Sequence, residues 1–142
     1  MNGNGCVVIA LLIIIIALVV YIFQYQSNFE GHANPKLKDG EDTTPIVLEA
    51  YRNANPNKSI IVYYYAPWCG HCKKMSPIYD TFAAGGRRHG FKTVKINADK
   101  YKPNPKHRVE GFPTFVGLKG NLITIHKAER TNEALTMFAK SL

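Results

Sequence analysis

Two cysteines, Cys69 and Cys72, lie between a strongly predicted strand and a strongly predicted helix, and this arrangement constrains the fold more than any other feature. Residues 59–65 (SIIVYYY) are β-branched and aromatic without interruption, as in a strand buried on both faces. After the cysteines, apolar residues recur at helical spacing from Met75 to Ala83. Because cysteines at this spacing can be bridged only where the backbone curls into a helical turn, we expect Cys69 at the N-terminus of that helix.

This position predicts a reactive thiol. Unpaired N–H groups and the helix dipole stabilise negative charge at a helix N-terminus, so the pKa of Cys69 should fall below the ordinary value of about 8.5. His71 adds a titratable and potentially cationic group beside it. Since the thiolate is the form that attacks a disulfide and a second thiol can resolve the mixed intermediate, the pair predicts dithiol–disulfide exchange.

A zinc site is the alternative interpretation of the cysteine pair. Zinc would need two further ligands at suitable spacing, and the only other cysteine is Cys6, in the apolar N-terminal run. His89, His107 and His126 are scattered singly and are interpreted as surface histidines. We therefore expect neither a metal nor a cofactor beyond the cysteine pair itself.

An uncharged apolar run, residues 6–23 (CVVIALLIIIIALVVYIF), precedes the predicted domain. As a helix it would be roughly 27 Å long, close to the hydrocarbon thickness of a bilayer. It is longer than the apolar core of a cleaved signal peptide and ends without a small-residue cleavage site. A buried core helix is the alternative, but such a helix would not be apolar on every face. The prediction is a transmembrane signal-anchor helix over 1–25, a polar linker over 26–43 and a folded domain over 44–142.

Local patterns predict an α/β domain, with a central mixed sheet of four to five strands between helices. The expected order is a helix over 44–54, the strand 59–65, the cysteine helix kinked at Pro77 and ended by Gly85-Gly86, a strand over 91–96, a proline-rich connection over 101–109, a hairpin of strands 114–118 and 122–126 around Gly120-Asn121, and a final helix over 131–140.

The net charge of +8 is concentrated unevenly along the chain. Between residues 81 and 109, eight Lys and Arg residues stand against one acid, Asp99. Such a surface favours acidic partners or anionic headgroups. No finger, RNA-binding signature or stacking-aromatic pattern accompanies it, so no nucleic acid partner is expected and the region is interpreted as a solvated basic face.

The segment 65–73 (YAPWCGHCK) resembles the active-site sequence of protein disulfide isomerase catalytic domains, within the thioredoxin superfamily. Pro77 matches the kink proline of the family's active-site helix, and 111–114 (GFPT) resembles its cis-proline loop. The resemblance covers about residues 46–142 and implies a thioredoxin-like fold.

The resemblance also implies roles for single residues. Cys69 would be the attacking thiol and Cys72 the buried resolving thiol. Lys95 would lie behind the resolving cysteine, and Arg130 could approach that cysteine and lower its pKa. A substrate-binding surface beside the pair would be formed by Trp68, Gly70, Phe112 and a cis Pro113.

One position departs from the family pattern. The family places a buried Asp or Glu six residues before the first cysteine, where it accepts the proton of the resolving thiol, whereas this chain has Tyr63. Lys95 thereby loses its usual partner. Removal of the proton from Cys72 would have to go through Tyr63, Lys95, Arg130 or water.

The resulting hypothesis is a membrane-anchored thiol–disulfide oxidoreductase acting on cysteine-containing protein clients, with a possible redox-recycling partner. His71, where thioredoxins have proline, favours oxidation or isomerisation over reduction. The alternatives are a cytosol-facing reductant for one partner disulfide and a redox-inactive client-binding module.

Orientation in the membrane is the second open question. The nearest cations after the apolar run, Lys36 and Lys38, favour a cytosolic C-terminus by the positive-inside rule. The chemistry favours an oxidising lumen in the endoplasmic reticulum or secretory pathway, which is the location we expect. Residues 57–59 (NKS) form a glycosylation sequon that a lumenal domain would expose.

Overall fold

The computed structural model describes residues 3–30 and 35–142, with side chains for 7–9, 11–24 and 35–142. Helix α1 (Gly3–Glu30) contains one span, Val7–Gln24, that is long and apolar enough to cross a membrane, with a mean hydropathy of 3.2. The helix continues into the predicted linker because no glycine or proline interrupts residues 6–30. Residues 31–34 of that predicted linker lie outside the described residues.

The second compact unit covers Pro35–Leu142 and contains the predicted α/β domain. Thr44 and Thr131 cap their helices, each accepting a backbone N–H three residues ahead. The elements are α2 (Pro45–Ala54), β1 (Ile60–Tyr65), α3 (Gly70–His89), β2 (Lys92–Asn97), a 3-10 turn (Pro105–His107), β3 (Thr114–Lys119), β4 (Leu122–Ile125) and α4 (Asn132–Lys140).

Strand β1 lies inside a four-stranded mixed sheet of order β2-β1-β3-β4. It pairs in parallel with β2 and antiparallel with β3, which forms a hairpin with β4. One face packs Val62 and Tyr64 against Leu48 of α2. The other packs Tyr63 against residues of α3 and α4, including Tyr79 and Leu135. The α/β class and the flanking helices are thus confirmed, with the lower of the two predicted strand numbers.

The segment before α2 belongs to the folded unit, although the sequence pattern assigned residues 26–43 to a linker. Leu37 is buried in the core beneath α2. Backbone bonds join Thr43 N–H to the Lys95 carbonyl at 2.9 Å and Lys95 N–H to the Glu41 carbonyl at 3.1 Å. Residues 40–43 therefore cover the outer edge of β2, with Asp42 and Lys95 forming an isolated parallel bridge.

Helix α3 does not end at Gly85-Gly86, contrary to the sequence prediction. It continues to His89 and ends at Gly90, whose φ of +84° gives a left-handed cap that glycine adopts without strain. Close packing accounts for glycine at position 86 inside the helix, because a Cβ there would lie 3.2 Å from the ring of Phe91. The predicted Pro77 lies inside the helix.

His107 is fully buried, so its interpretation as a surface histidine was wrong. It ends the 3-10 turn, and its Nδ1 lies 2.7 Å from the hydroxyl of Tyr64 on β1. Burial lowers the pKa of His107, which favours the neutral ring. The hydrogen bond allows a polar ring to anchor this turn under the sheet.

Candidate active site

Cys69 is the N-cap of α3, as its spacing from Cys72 predicts. Its Sγ accepts the backbone N–H of Cys72 at 3.2 Å, so a thiol sulfur takes the place of the usual capping oxygen. The thiol also donates to the carbonyl of Phe112 at 3.5 Å. Both cysteines are free thiols and pack together in a small cluster with Ala66.

The surroundings lower the pKa of Cys69. The largest cause is the hydrogen bond from the Cys72 thiol, and the backbone N–H groups of Cys72 and His71 act in the same direction. The charge of Arg130 makes the smallest of these contributions. Since all of these groups favour the anion, Cys69 is the thiol of the pair that ionises first.

Cys72 has the opposite electrostatics. Burial raises its pKa, and the neighbouring Cys69 thiol raises it further. The nearby hydroxyl of Tyr63 opposes this shift, and its proton is donated to the Cys72 carbonyl at 3.3 Å. A pair with one lowered and one raised pKa divides the work between an attacking and a resolving thiol.

Tyr63 is held in a column of aromatic rings. Its ring stacks on Phe115 at a centroid distance of 4.8 Å and an interplanar angle of 9°, and it packs against Tyr79 at 4.8 Å. Burial, followed by the charge of Cys72, raises its pKa. Tyr63 thus stays a neutral phenol, which can donate a hydrogen bond to a Cys72 thiolate but is a poor acceptor of its proton.

A carboxylate that sequence reasoning missed lies nearby. Asp42 accepts the hydroxyl of Tyr65 at 2.9 and 3.1 Å, and burial together with this bond raises the pKa of Tyr65 to about 12. Lys95, the strand lysine of the resemblance, lies over the same ring with Nζ 5.9 Å from the centroid. The sequence signal for Asp42 was weak, because its pairing with β2 joins residues more than fifty positions apart.

The predicted substrate-binding residues lie beside Cys69. The Phe112–Pro113 peptide bond is cis, as the resemblance implied. Trp68 packs edge-on against Phe112 at 6.3 Å and donates to Asp99 at 3.0 Å, yet it remains 69% exposed. Gly70 opens onto free space, since a Cβ built there meets no atom within 4 Å. This surface is open enough to receive an extended chain next to the reactive sulfur.

Three further predicted residues surround the pair. The imidazole of His71 is exposed, and its backbone N–H acts on Cys69. Arg130 is exposed, and its charge lowers the pKa of Cys69. Lys95 lies over the ring of Tyr65.

The histidines of the zinc alternative lie away from the cysteines. His89 stacks on Phe91, His107 contacts Tyr64, and His126 packs against Phe138. Within residues 3–30 and 35–142, no three His, Cys, Asp or Glu side chains gather as metal ligands. Among the residues that the structure describes, the cysteine pair thus has no third His, Asp or Glu beside it.

Comparison with known sequences identifies a matching family. The profile of the thioredoxin family matches residues 46–141. Protein disulfide-isomerase A4 of Homo sapiens is 34% identical over 90 residues, which are 59% of this chain and 14% of that protein. Protein disulfide-isomerase TMX3 of Xenopus laevis is 38% identical over 82 residues, 56% of this chain and 18% of that protein. The chain thus spans less than a fifth of the length of these relatives.

Solved structures share the fold. The first thioredoxin domain of mouse protein disulfide-isomerase A4 aligns with a TM-score of 0.65 at 23% identity, over 79% of this chain and 81% of that one. The germline-specific thioredoxin Deadhead of Drosophila melanogaster aligns with a TM-score of 0.59 at 27% identity, over 72% of this chain and 98% of that one.

The role of His71 can be divided between its backbone and its ring. His71→Pro removes the N–H that acts on Cys69, and proline is tolerated in the first turn of a helix. The pKa of Cys69 should rise and the disulfide should become harder to reduce. His71→Ala keeps the N–H and should have a much smaller effect. Equilibration with glutathione and the pH dependence of Cys69 alkylation measure both changes, and equal effects of the two variants would contradict this account.

The hydroxyl of Tyr63 should lower the pKa of Cys72. In a Cys69→Ser background, Tyr63→Phe should raise that pKa, since it removes the donor and keeps the ring. The carbon NMR shift of labelled Cys72, followed against pH, measures the change. Tyr79→Phe is the matched control, because that hydroxyl lies in the same column and bonds to neither cysteine. An unchanged Cys72 titration in Tyr63→Phe would exclude the proposed hydrogen bond.

Proposed function

Because this chain belongs to the thioredoxin family, whose matched relatives include protein disulfide isomerases, we propose that it catalyses thiol–disulfide exchange in cysteine-containing protein clients. The observation that carries the proposal is the asymmetry of the pair. Cys69 caps α3 with a lowered pKa, while Cys72 lies buried behind it with a raised one.

The exchange proceeds in two balanced steps. The Cys69 thiolate attacks a sulfur of a client disulfide, forming a mixed disulfide and releasing one client thiolate. Cys72 then loses its proton and attacks the Sγ of Cys69, which forms the Cys69–Cys72 disulfide and releases the second client thiolate. The client gains two electrons and the dithiol loses them, so the reverse sequence oxidises a client dithiol. Isomerisation uses the first step and its reversal at another client cysteine.

The residues around the pair have separate roles in these steps. The backbone N–H groups at the start of α3 stabilise the attacking and the leaving Cys69 thiolate. Tyr63 donates a hydrogen bond that favours the anion of Cys72, while water or another base accepts the proton. The cis loop at Phe112–Pro113 receives the extended client backbone beside Cys69. A redox-recycling partner returns the pair to its starting state after each net oxidation or reduction.

Helix α1 anchors the enzyme in a membrane in this proposal, and the catalytic unit faces an oxidising lumen of the endoplasmic reticulum or secretory pathway. The apolar span Val7–Gln24 supports the anchor. The thiol chemistry supports the lumen, where a Cys69–Cys72 disulfide persists. The exposed Asn57, in the turn between α2 and β1, suits the glycosylation that this side allows.

The two cysteines should give different trapping results. Cys72→Ser cannot resolve the mixed intermediate, so it should accumulate client disulfides on Cys69. Cys69→Ser should accumulate almost none, because the pKa of Cys72 is raised and Cys72 is the more deeply buried of two buried thiols, 2% exposed against 6% for Cys69. Non-reducing gels of both variants after alkylation of free thiols measure this. Equal trapping by the two variants would overturn the roles, and no trapping by either would overturn client exchange.

The lumenal orientation is tested in sealed microsomes. The unit Pro35–Leu142 should resist added protease until detergent opens the membrane. Asn57→Gln should migrate faster if the sequon is used, whereas Asn53→Gln should not, since Asn53 is exposed but lies in no sequon. Full digestion of the unit in intact microsomes would contradict the lumenal orientation.

A further inference from the structure

The free edge of β4 opens into a groove that thiol exchange does not use. The groove has a volume of about 720 Å³ and is lined by the whole of β4 (Leu122–Ile125) and by residues of the segments on either side. Alternate residues of a strand face opposite sides of its sheet. Since both sets line the groove, it follows the edge of the sheet rather than one face.

Within the described residues, backbone groups at this edge have no hydrogen-bond partner. The His126 N–H donates to the Phe115 carbonyl at 2.9 Å, so these two residues form a hydrogen-bonded pair of the β3–β4 ladder. Bonded and non-bonded pairs alternate in an antiparallel ladder. The pairs of Ile123 with Leu118 and Ile125 with Val116 are therefore non-bonded. The N–H and C=O groups of Ile123 and Ile125 consequently point away from β3, toward the groove.

The charge lining the groove has one sign. Lys106, Arg108 and Lys127 line it with exposed side chains, and among the described residues no Asp or Glu does so. In the part of the chain that the structure describes, none of the three forms an ion pair. A strand that approaches this edge with positive charges would be repelled, whereas one with carboxylates would be attracted.

The conformation of Arg108 gives independent support. Its φ of +48° and ψ of +48° are left-handed, and it is the one residue other than glycine with positive φ in the described chain. A residue with a Cβ is disfavoured there relative to glycine. The backbone conformation at this position would favour glycine, so it does not explain why the residue here is arginine.

We propose that the groove along β4 binds an extended acidic segment of a partner protein, which adds to the sheet as a further strand. Backbone bonds to Ile123 and Ile125 would give the pairing, and the three cations would select carboxylate side chains. A lipid headgroup could satisfy the cations but supplies no alternating backbone donors and acceptors, so the exposed edge favours a peptide.

The edge is placed to act together with the cysteines. β3 begins at Thr114, directly after cis Pro113, and β4 runs antiparallel to it, so Lys127 lies at the same end of the sheet as Phe112–Pro113. A partner strand along β4 would therefore extend toward the end of the sheet where Cys69 reacts.

The test is binding of a dye-labelled, end-capped peptide that alternates glutamate with valine and lacks cysteine, measured by anisotropy on the full chain in zwitterionic micelles. It should bind, and added salt should weaken binding by screening the charges. The same peptide with lysine for glutamate should not bind. N-methylation of alternate peptide nitrogens should abolish binding, because it blocks strand pairing but keeps the charge.

Matched variants locate the site. Replacing Lys106, Arg108 and Lys127 by glutamine should weaken binding roughly tenfold, as expected for the loss of three exposed charge pairs. Replacing Arg87, Arg88 and Lys140 by glutamine removes the same charge from exposed helix ends and should change affinity less than about twofold.

Four outcomes would overturn the proposal. They are no binding of the acidic peptide, equal loss in both triple variants, undiminished binding of the N-methylated peptide, and groove-dependent binding of phosphatidylserine vesicles without binding of the peptide. Because the peptide lacks cysteine, none of these outcomes depends on thiol exchange.

Discussion

The hydrogen bond from the Cys72 N–H to the Cys69 sulfur is the contact on which the site depends. It exists because Cys69 occupies the N-cap of α3, where backbone donors have no intrahelical acceptor. Strand β1 fixes that position, since it is buried on both faces and delivers the chain directly to the turn before the helix. The same turn leaves Cys72 buried one helical turn later, so a single local geometry produces both the lowered and the raised pKa.

The aromatic column under the cysteines changes how the resolving thiol is assisted. A buried carboxylate could accept the proton of Cys72, but the phenol of Tyr63 is held neutral by burial and can only donate. The carboxylate of Asp42 is instead bound to the hydroxyl of Tyr65, next to Tyr63 in the stacked rings. The Tyr63 hydroxyl, which donates to the Cys72 carbonyl, is thus close enough to favour the Cys72 anion, while removal of the Cys72 proton is left to another acceptor.

The two edges of the sheet differ in whether their outer backbone groups are hydrogen-bonded. Residues 40–43 cover the outer edge of β2 with backbone bonds, whereas the outer groups of β4 have no partner among the described residues and lie beside cations. Charged residues protect exposed edges against indiscriminate pairing. The same charges make the edge selective for a segment of opposite sign, so protection against aggregation and recognition of a partner are compatible uses of one groove.

The sequence by itself determined every element whose signal is local. Each of these signals lies in or next to the element that it specifies. They are the apolar strand, the helical spacing after the cysteines, the capping residues Thr44 and Thr131, and the Gly120-Asn121 turn. The position of Cys69 at a helix N-terminus, and hence the direction of its pKa shift, follows from the same local information.

Tertiary structure decided what depends on contacts between distant segments. In the sequence, the segment with Leu37 and residues 40–43 resembles a polar linker. Its partners, the core beneath α2 and the edge of β2, are contributed by distant parts of the chain. The burial of His107 depends on Tyr64, and the retention of Gly86 within α3 depends on Phe91. The charge of Arg130 acts on Cys69, although the two residues are sixty-one positions apart in the sequence. The neighbours of a residue in the sequence do not show which distant residues it will contact in the folded chain. Composition and motif spacing therefore could not predict these contacts.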